Sequence, residues 1–408
     1  MTFSLCAFVP SPSIAYNSPS MTVAVRSFAK INLGLYIGST RADGFHDLRT
    51  VYQTIALHDV IRVSVGRGSG IEIVCTDPRV PLDSSNTCYR MAERVMDELG
   101  AKGRVNVEIE KRLPVQGGLG AASSNAVATL VALERALKRK LSAPVRLRIA
   151  ADVGSDLPLF LVGGTTLGVG RGEEVYPLGD LPSVAIVVVM PEVGVSTAQA
   201  FADWDSFVQR EKAAELGAAW TGESARPHTT SPRTNSGFEL RSAGRTNASG
   251  ATRTGTGRSP VTTQDSATTR DEQLTRPLAS DRLVEVGRVL SSWLSGLPNS
   301  GLPNTGAPAK GGSRAGNLLL DLVRTGIEND FEQVVFPLYP ELRDIKGALE
   351  RAGSRYASLS GSGSTLYGLF QSRADAAKAA SRLRKQGLKA VATSTLTRRK
   401  YWKAVVDR

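Results

Sequence analysis

The sequence predicts an α+β fold in two domains, and three observations carry the prediction. Apolar residues alternate at a spacing of two in Val23–Ile37 and Val105–Glu110, as in strands with one buried face. Asn86–Leu99, a run from Ala121 to Lys138, and Val145–Val153 have helical periodicity. The C-terminal part then orders helix, strand, glycine-rich loop, strand, helix and strand. At 408 residues two domains are the default expectation. The expected division is an N-terminal extension at 1–20, an N-terminal domain at 21–182 and a C-terminal domain at 183–408. Within the last lies an insertion at 222–282.

In Val23–Ile37, the residues Ala29, Ile31, Leu33 and Leu35 would face the core. Phe28, Lys30 and Asn32 share the other face, where a lysine beside an amide suggests a polar site; the alternative is an ordinary solvated face. Arg41-Ala42-Asp43-Gly44-Phe45-His46 is a turn with Asp-Gly chemistry, followed at once by an aromatic and a histidine. Thr50–Leu57 and Ile61–Val65 read as two strands, with His58-Asp59 as turn polarity between them. Ile71–Cys75 is another strand. In Gly154-Ser155-Asp156-Leu157-Pro158 the carboxylate sits in a small-residue turn, where it either caps the next helix or serves chemistry. Gly163-Gly164 and Gly168–Glu173 punctuate a hairpin. Val184–Met190 is a continuous apolar run, hence a buried strand. Ala198–Trp204 begins a helix that Phe207–Trp220 continues.

From about Gly222 to Arg282 the chain is rich in Ser, Thr, Arg, Gly and Asn. Such a segment cannot bury enough surface to offset its ordering entropy, so a disordered insertion is expected. Leu283–Leu294 returns to helical periodicity and Pro298–Gly316 reads as flexible. Leu318–Val323, Phe331–Val335 and Pro340–Ala352 are helical. Arg355–Ser358 and Thr365–Phe370 are strands around the loop Ser360–Ser364, followed by a helix at Ala374–Gln386 and a final strand at Ala390–Leu396. This order is half of a ferredoxin-like layer.

Composition narrows the function classes. No run approaches the roughly 18 apolar residues of a membrane span. The short apolar piece Phe3–Val9 lacks the basic lead-in of a signal peptide, and Met21 is an alternative start. Cys6, Cys75 and Cys88 have no metal-ligand spacing and make no disulfide framework, so a reducing cytoplasm is expected. The net charge of +12 is scattered rather than clustered among aromatics. That favours anionic small molecules over nucleic acid as partners.

The stretch Lys111 to Asn125 holds the chemistry. Gly117, Gly118 and Gly120 precede a helix, so backbone can approach a ligand closely at a helix N-terminus. Ser123 and Ser124 add hydroxyls, and Lys111 and Arg112 add charge upstream. No lysine follows the glycines, so this is not a P-loop, and their spacing does not make a G-x-G-x-x-G dinucleotide fingerprint. A polyphosphate site is expected; the competing reading is a helix whose small residues only permit close packing.

Three segments stand in order: Ser27-Phe28-Ala29-Lys30-Ile31-Asn32-Leu33, Pro114–Ser124 and Leu359-Ser360-Gly361-Ser362-Gly363-Ser364. Together they resemble the three-motif pattern of the GHMP kinase superfamily, which includes galactokinase, homoserine kinase and mevalonate kinase. Arg41–His46, Pro114–Gly120 and Gly154–Pro158 are similar to its branch that phosphorylates a cytidylyl-linked alcohol. The resemblance covers about Val23–Ala200 and Leu318–Leu396. It implies a ribosomal protein S5 domain 2-like N-terminal domain and a ferredoxin-like C-terminal domain. It also implies ATP as co-substrate with Mg2+, and 4-diphosphocytidyl-2-C-methyl-D-erythritol as acceptor. Asp156 would be the general base and Lys30 its charge-stabilising neighbour. Pro114, Val115, Gln116, Gly117, Gly118, Leu119, Gly120, Ala121, Ala122, Ser123 and Ser124 would wrap the ATP phosphates, with Asn86 and Lys111 near the adenine. Asn32, Phe45, His46, Thr197 and Phe201 would hold the acceptor, with Phe45 and Phe201 as two rings around the cytosine. No protein ligand to the metal is assigned. The alternatives are a kinase of the same fold acting on homoserine or mevalonate, or a non-catalytic nucleotide-binding regulator. A monomer or a homodimer would serve equally.

Overall fold

The structure is a computed structural model that describes residues 21–180, 182–223 and 327–406. The N-terminal extension, the insertion beyond Glu223 and the expectations for Leu283–Leu294, Pro298–Gly316 and Leu318–Val323 lie outside the described residues. The description therefore belongs almost wholly to one compact unit, built from the chain up to Val208 and from Leu278 onward. A second unit spans Gln209–Pro277, and its described part is the end of one long helix.

The first sheet has the order β3-β4-β2-β5-β6, with β1 paired to β2 off that path. Its strands are β1 (Val23–Thr40), β2 (His46–Gly66), β3 (Ile71–Cys75), β4 (Arg104–Glu110), β5 (Thr165–Val169) and β6 (Glu174–Pro177). Four helices accompany them: α1 (Thr87–Leu99), α2 (Ala121–Ala136), α3 (Ala143–Val153) and α4 (Leu157–Val162). Met91 and Val95 of α1, Leu130 and Leu133 of α2 and Phe160 of α4 pack with Val25, Ile61 and Val63 in one core.

β2 corrects an expectation. It is one continuous strand of 21 residues, where His58-Asp59 suggested a turn between two. The Asp59 carboxylate, fully buried, accepts the backbone N–H groups of Arg112 and Leu113 and the side-chain donors of Lys111 and Asn125. A charge so fully satisfied can stay inside a sheet, so the strand needs no break.

From Ser27 to Gly38, β1 has no solvated face. Phe28, Lys30 and Asn32 are as buried as Ala29, Ile31 and Leu33. Its register against β2 shifts between Phe28 and Lys30, between Asn32 and Gly34, and between Ile37 and Thr40. Each shift bends and twists the strand. β1 thereby leaves the first core at Phe28, passes Ala29–Leu33 through a second and delivers Leu35 and Ile37 to a third.

The second sheet contains β7 (Ala185–Val189), β8 (Tyr356–Leu359), β9 (Leu366–Phe370) and β10 (Ala390–Ser394). All its pairings are antiparallel, in the order β10-β7-β9-β8. Numbered within this sheet the order is 4-1-3-2, the ferredoxin-like arrangement expected. The helices are α5 (Thr197–Glu223), α6 (Glu332–Leu338), α7 (Pro340–Arg351) and α8 (Arg373–Lys385). Val187 and Val189 face Leu342, Leu349, Ala376 and Leu383, while Ile186 and Val188 share a core with β1. Burial on both faces explains the unbroken apolar run in β7.

A last helix, α9 (Arg398–Val406), follows β10 and was not expected from the sequence. It returns to the first core: Tyr401 Oη donates to Phe160 O at 2.8 Å and Trp402 Nε1 to Val162 O at 3.0 Å. Its signals were present but short. Thr397 Oγ1 accepts Lys400 N–H at 3.3 Å as a cap, and Tyr401 and Val405 are the two buried residues, four apart.

Candidate active site

The glycine loop is held from below and from the side. Asp59 anchors its base at Arg112 and Leu113. The second glycine-rich loop, between β8 and β9, closes its flank: Ser360 Oγ donates to Gly118 O at 2.9 Å, and Thr365 N to Gly117 O at 3.3 Å. Gly118 has φ +72°, and a Cβ there would lie 2.0 Å from the Ser360 carbonyl oxygen. Gly120, at φ +67°, precedes α2 and gives it no side-chain cap. The first helical bond runs from Ser124 N to Gly120 O, so the N–H groups of Ala121, Ala122 and Ser123 are left for a ligand. No acidic residue in the first turn competes with an anion.

Lys30 and Asp156 meet beside this helix end. A Cβ on Gly120 would meet Lys30 Cγ at 3.0 Å, so the loop lies directly on the lysine stem. Lys30 Nζ donates to Asn32 Oδ1 at 2.7 Å and stands 3.8 Å from Asp156 Oδ2. Asn32 in turn donates to Thr50 Oγ1 at 2.7 Å. Tyr52 Oη donates to Asp156 Oδ1 at 2.9 Å. Burial lowers the Lys30 pKa below its ordinary 10.5, and Asp156 offsets part of that. Asp156 precedes α4 but its side chain makes no capping bond, so the capping alternative falls, and the residue lines the cleft.

The residues expected to hold the acceptor are arranged differently from expectation. Phe45 is half exposed, with the Arg171 guanidinium 5.0 Å from its ring centroid. His46 is buried, and its Nε2 lies 2.8 Å from Asp205 Oδ1. Phe201 does not stand free as a second ring: it stacks on His46 at 4.9 Å and 11°, and meets Phe331 edge-on at 5.0 Å. Thr197 Oγ1 bonds Ser362 Oγ at 2.9 Å, joining α5 to the second glycine-rich loop.

A single cleft of about 980 Å3 brings these groups together. Its walls include Lys30, Asn32, Phe45, His46, Asn86, Lys111, Pro114–Ser123, Asp156, Thr197 and Phe201. Ser124 is the exception. Its hydroxyl donates to Phe28 O at 2.6 Å and accepts from Ser27 Oγ at 2.7 Å, so it fastens α2 to β1 and turns away from the ligand. Asn86 is occupied on both amide atoms, capping α1 through Cys88 N–H and donating to Pro81 O. These bonds fix its side chain in the wall of the cleft.

Comparison with known proteins agrees with this geometry. Residues 86–164 match the GHMP kinases N terminal domain, and residues 314–389 match GHMP kinases C terminal. A 4-diphosphocytidyl-2-C-methyl-D-erythritol kinase of Solibacter usitatus is 34% identical over 349 residues, which cover 86% of this chain and 81% of that protein. The chain belongs to the GHMP kinases. Two solved structures agree at the level of the fold. A 4-(cytidine 5'-diphospho)-2C-methyl-D-erythritol kinase superposes with a TM-score of 0.56 at 24% identity, covering 91% of this chain and 99% of its own. A homoserine kinase from Cytophaga hutchinsonii superposes at 0.58 and 17%, covering 94% and 97%. Solved structures with differently named activities thus share this fold.

Sequence reasoning on this GHMP kinase missed Asp59, Thr50, Tyr52, Arg171 and Asp205. Asp59 had a signal, a carboxylate inside an apolar alternation. The other four become functional candidates only through partners more than fifteen residues away, such as Asp156 for Tyr52.

Proposed function

We propose that this GHMP kinase transfers the γ-phosphoryl group of ATP to the 2-hydroxyl of 4-diphosphocytidyl-2-C-methyl-D-erythritol, a step of the non-mevalonate route to isoprenoid precursors. The observation that carries the reading is the pairing of buried Lys30 with Asp156 beside the open N-terminus of α2, in one cleft with Phe45 and His46. The name of the 34% identical relative supports the choice of acceptor.

In this reading the loop Pro114–Gly120 and the N–H groups of Ala121, Ala122 and Ser123 hold the ATP phosphates. Mg2+ would travel with the nucleotide and neutralise phosphate charge. Among the described residues no three His, Cys, Asp or Glu gather into a metal cluster, and no protein ligand is assigned to the ion. The acceptor oxygen bonds to the γ-phosphorus as the bond to the bridging oxygen breaks, and ADP leaves. The hydroxyl proton passes to Asp156. Lys30 stabilises the charge that develops on the transferred group, which is the larger part of what such a transfer asks of a protein. Asn32 fixes the Lys30 ammonium. Phe45 offers an exposed ring face to cytosine, and the buried His46, braced by Phe201 and Asp205, offers the polar edge.

The division at 182/183 belongs to this proposal and is supported by the change of sheet between β6 and β7. A cytoplasmic setting is supported by free Cys75 and Cys88. No helix among the described residues is long and apolar enough to cross a membrane.

The test is Asp156→Ala with the cytidylyl acceptor. Turnover should fall at least about 100-fold, within the range of general-base removal, while ATP affinity stays within about twofold of wild type because no phosphate contact is lost. Near-normal turnover would remove Asp156 from this role.

A further inference from the structure

We propose that Tyr52 is a positioning residue for the phosphoryl-transfer step: its hydroxyl holds Asp156 Oδ1 and so turns Oδ2 toward Lys30 and the acceptor. The inference rests on the role of Asp156 given above.

Tyr52 lies on β2, opposite Asn32 on β1 and opposite Thr166 on β5. It is 2% exposed, and its Oη is 2.9 Å from Asp156 Oδ1. Lys30 Nζ is 3.8 Å from the other carboxylate oxygen and 5.8 Å from the Tyr52 ring centroid. Since Asp156 makes no bond to the helix it precedes, Tyr52 and Lys30 set its orientation between them. The turn between β5 and β6 closes over the pair. A Cβ on Gly172 would come within 2.6 Å of Tyr52 Oη and 3.7 Å of Asp156 Oδ1. Burial, with Asp156 and Glu173 adding to it, pushes the Tyr52 phenol well above its ordinary range. The phenol therefore stays protonated as a permanent donor. The charged groups around it are Lys30 from β1, Asp156 before α4, and Glu173 and Arg171 from the turn.

A donor fixed on Oδ1 has two effects. It leaves Oδ2 as the oxygen that takes the acceptor proton. It also stops the carboxylate from rotating, so that Oδ2 stays directed at the acceptor hydroxyl.

The experiment is single-turnover phosphoryl transfer with Tyr52→Phe, which keeps the ring and removes only the hydroxyl. We expect about a tenfold loss in rate, with ATP and acceptor KM within about twofold of wild type and an unchanged melting temperature. Substitution of Tyr52 by 3-fluorotyrosine keeps the hydroxyl donor and should keep the rate within about twofold of wild type, which keeps the test available if Tyr52→Phe folds poorly. A wild-type rate in Tyr52→Phe, an equal loss in the 3-fluorotyrosine protein, or a rate loss that follows melting temperature alone, would reduce Tyr52 to a satisfied core tyrosine. Wild-type turnover tests the proposed acceptor separately, because Tyr52 is judged on the variant-to-wild-type comparison with whichever alcohol the enzyme phosphorylates.

Discussion

Lys30 is 3% exposed, with Asn32 Oδ1 at 2.7 Å and Asp156 Oδ2 at 3.8 Å. Its ammonium is kept out of water for the sake of the cleft. Its folded pKa is lowered from 10.5, so between that lowered value and 10.5 the unfolded chain binds more protons. Stability contributed by this site therefore rises with pH across that window and is at its lowest below it. Lys30→Met should cost turnover at least about 100-fold. It should leave unfolding free energy at pH 7 within about 1 kcal/mol of wild type, because relief of the buried charge offsets the lost contacts. As pH rises through the window, wild type should gain stability relative to the variant. Urea unfolding at pH 7 and pH 10 measures this, and a large destabilisation at pH 7 would mean that Lys30 is structural.

At the scale of elements, the two glycine-rich loops act as one piece. Gly118 carries both a left-handed φ and a missing Cβ where the Ser360 carbonyl approaches. Gly44, in the turn before β2, has φ +80° with nothing within 4 Å of a Cβ. Gly44→Ala should cost only the backbone strain of about 1 kcal/mol, whereas Gly118→Ala adds a steric clash and should cost at least about 2 kcal/mol more. It should also raise KM for ATP by opening the seam under the phosphates; equal costs in the two variants would contradict the seam. The glycine loop was legible in the sequence because its chemistry is local: small residues in a row, then a helix. The strands of both sheets were legible through alternation or an unbroken apolar run. The continuity of β2 was not, because Asp59 resembles a turn residue until Arg112 and Leu113, more than fifty residues away, supply its donors. Ser124 was misplaced for a similar reason. Along a helix it is one step from Ser123, but that step turns its hydroxyl to β1 instead of the cleft.

At the scale of the whole molecule, β1 joins the parts. It stays paired with β2, yet its side chains pass from the core of the first sheet to the core beneath the second, near which Leu35 makes an isolated bridge to Asn329, and between those ends it places Lys30 and Asn32 in the cleft. The cleft runs from the N-terminus of α2 past Lys30 and Asp156 to Phe45 and His46, which in the proposed function are its phosphate end, reaction centre and acceptor end. The stack of Phe201 on His46 links α5 to the start of β2, and nothing in either segment alone announces it. The fold is shared with a homoserine kinase, and the proposed function assigns acceptor choice to Phe45 and His46. The most direct measurement is ADP release with ATP and Mg2+, using 4-diphosphocytidyl-2-C-methyl-D-erythritol, homoserine and mevalonate in parallel. Turnover with the cytidylyl alcohol alone, inhibited by CDP in competition with that acceptor, is the predicted result. Turnover with homoserine or mevalonate instead, or indifference to CDP, would contradict the assignment of Phe45 and His46 as the acceptor end.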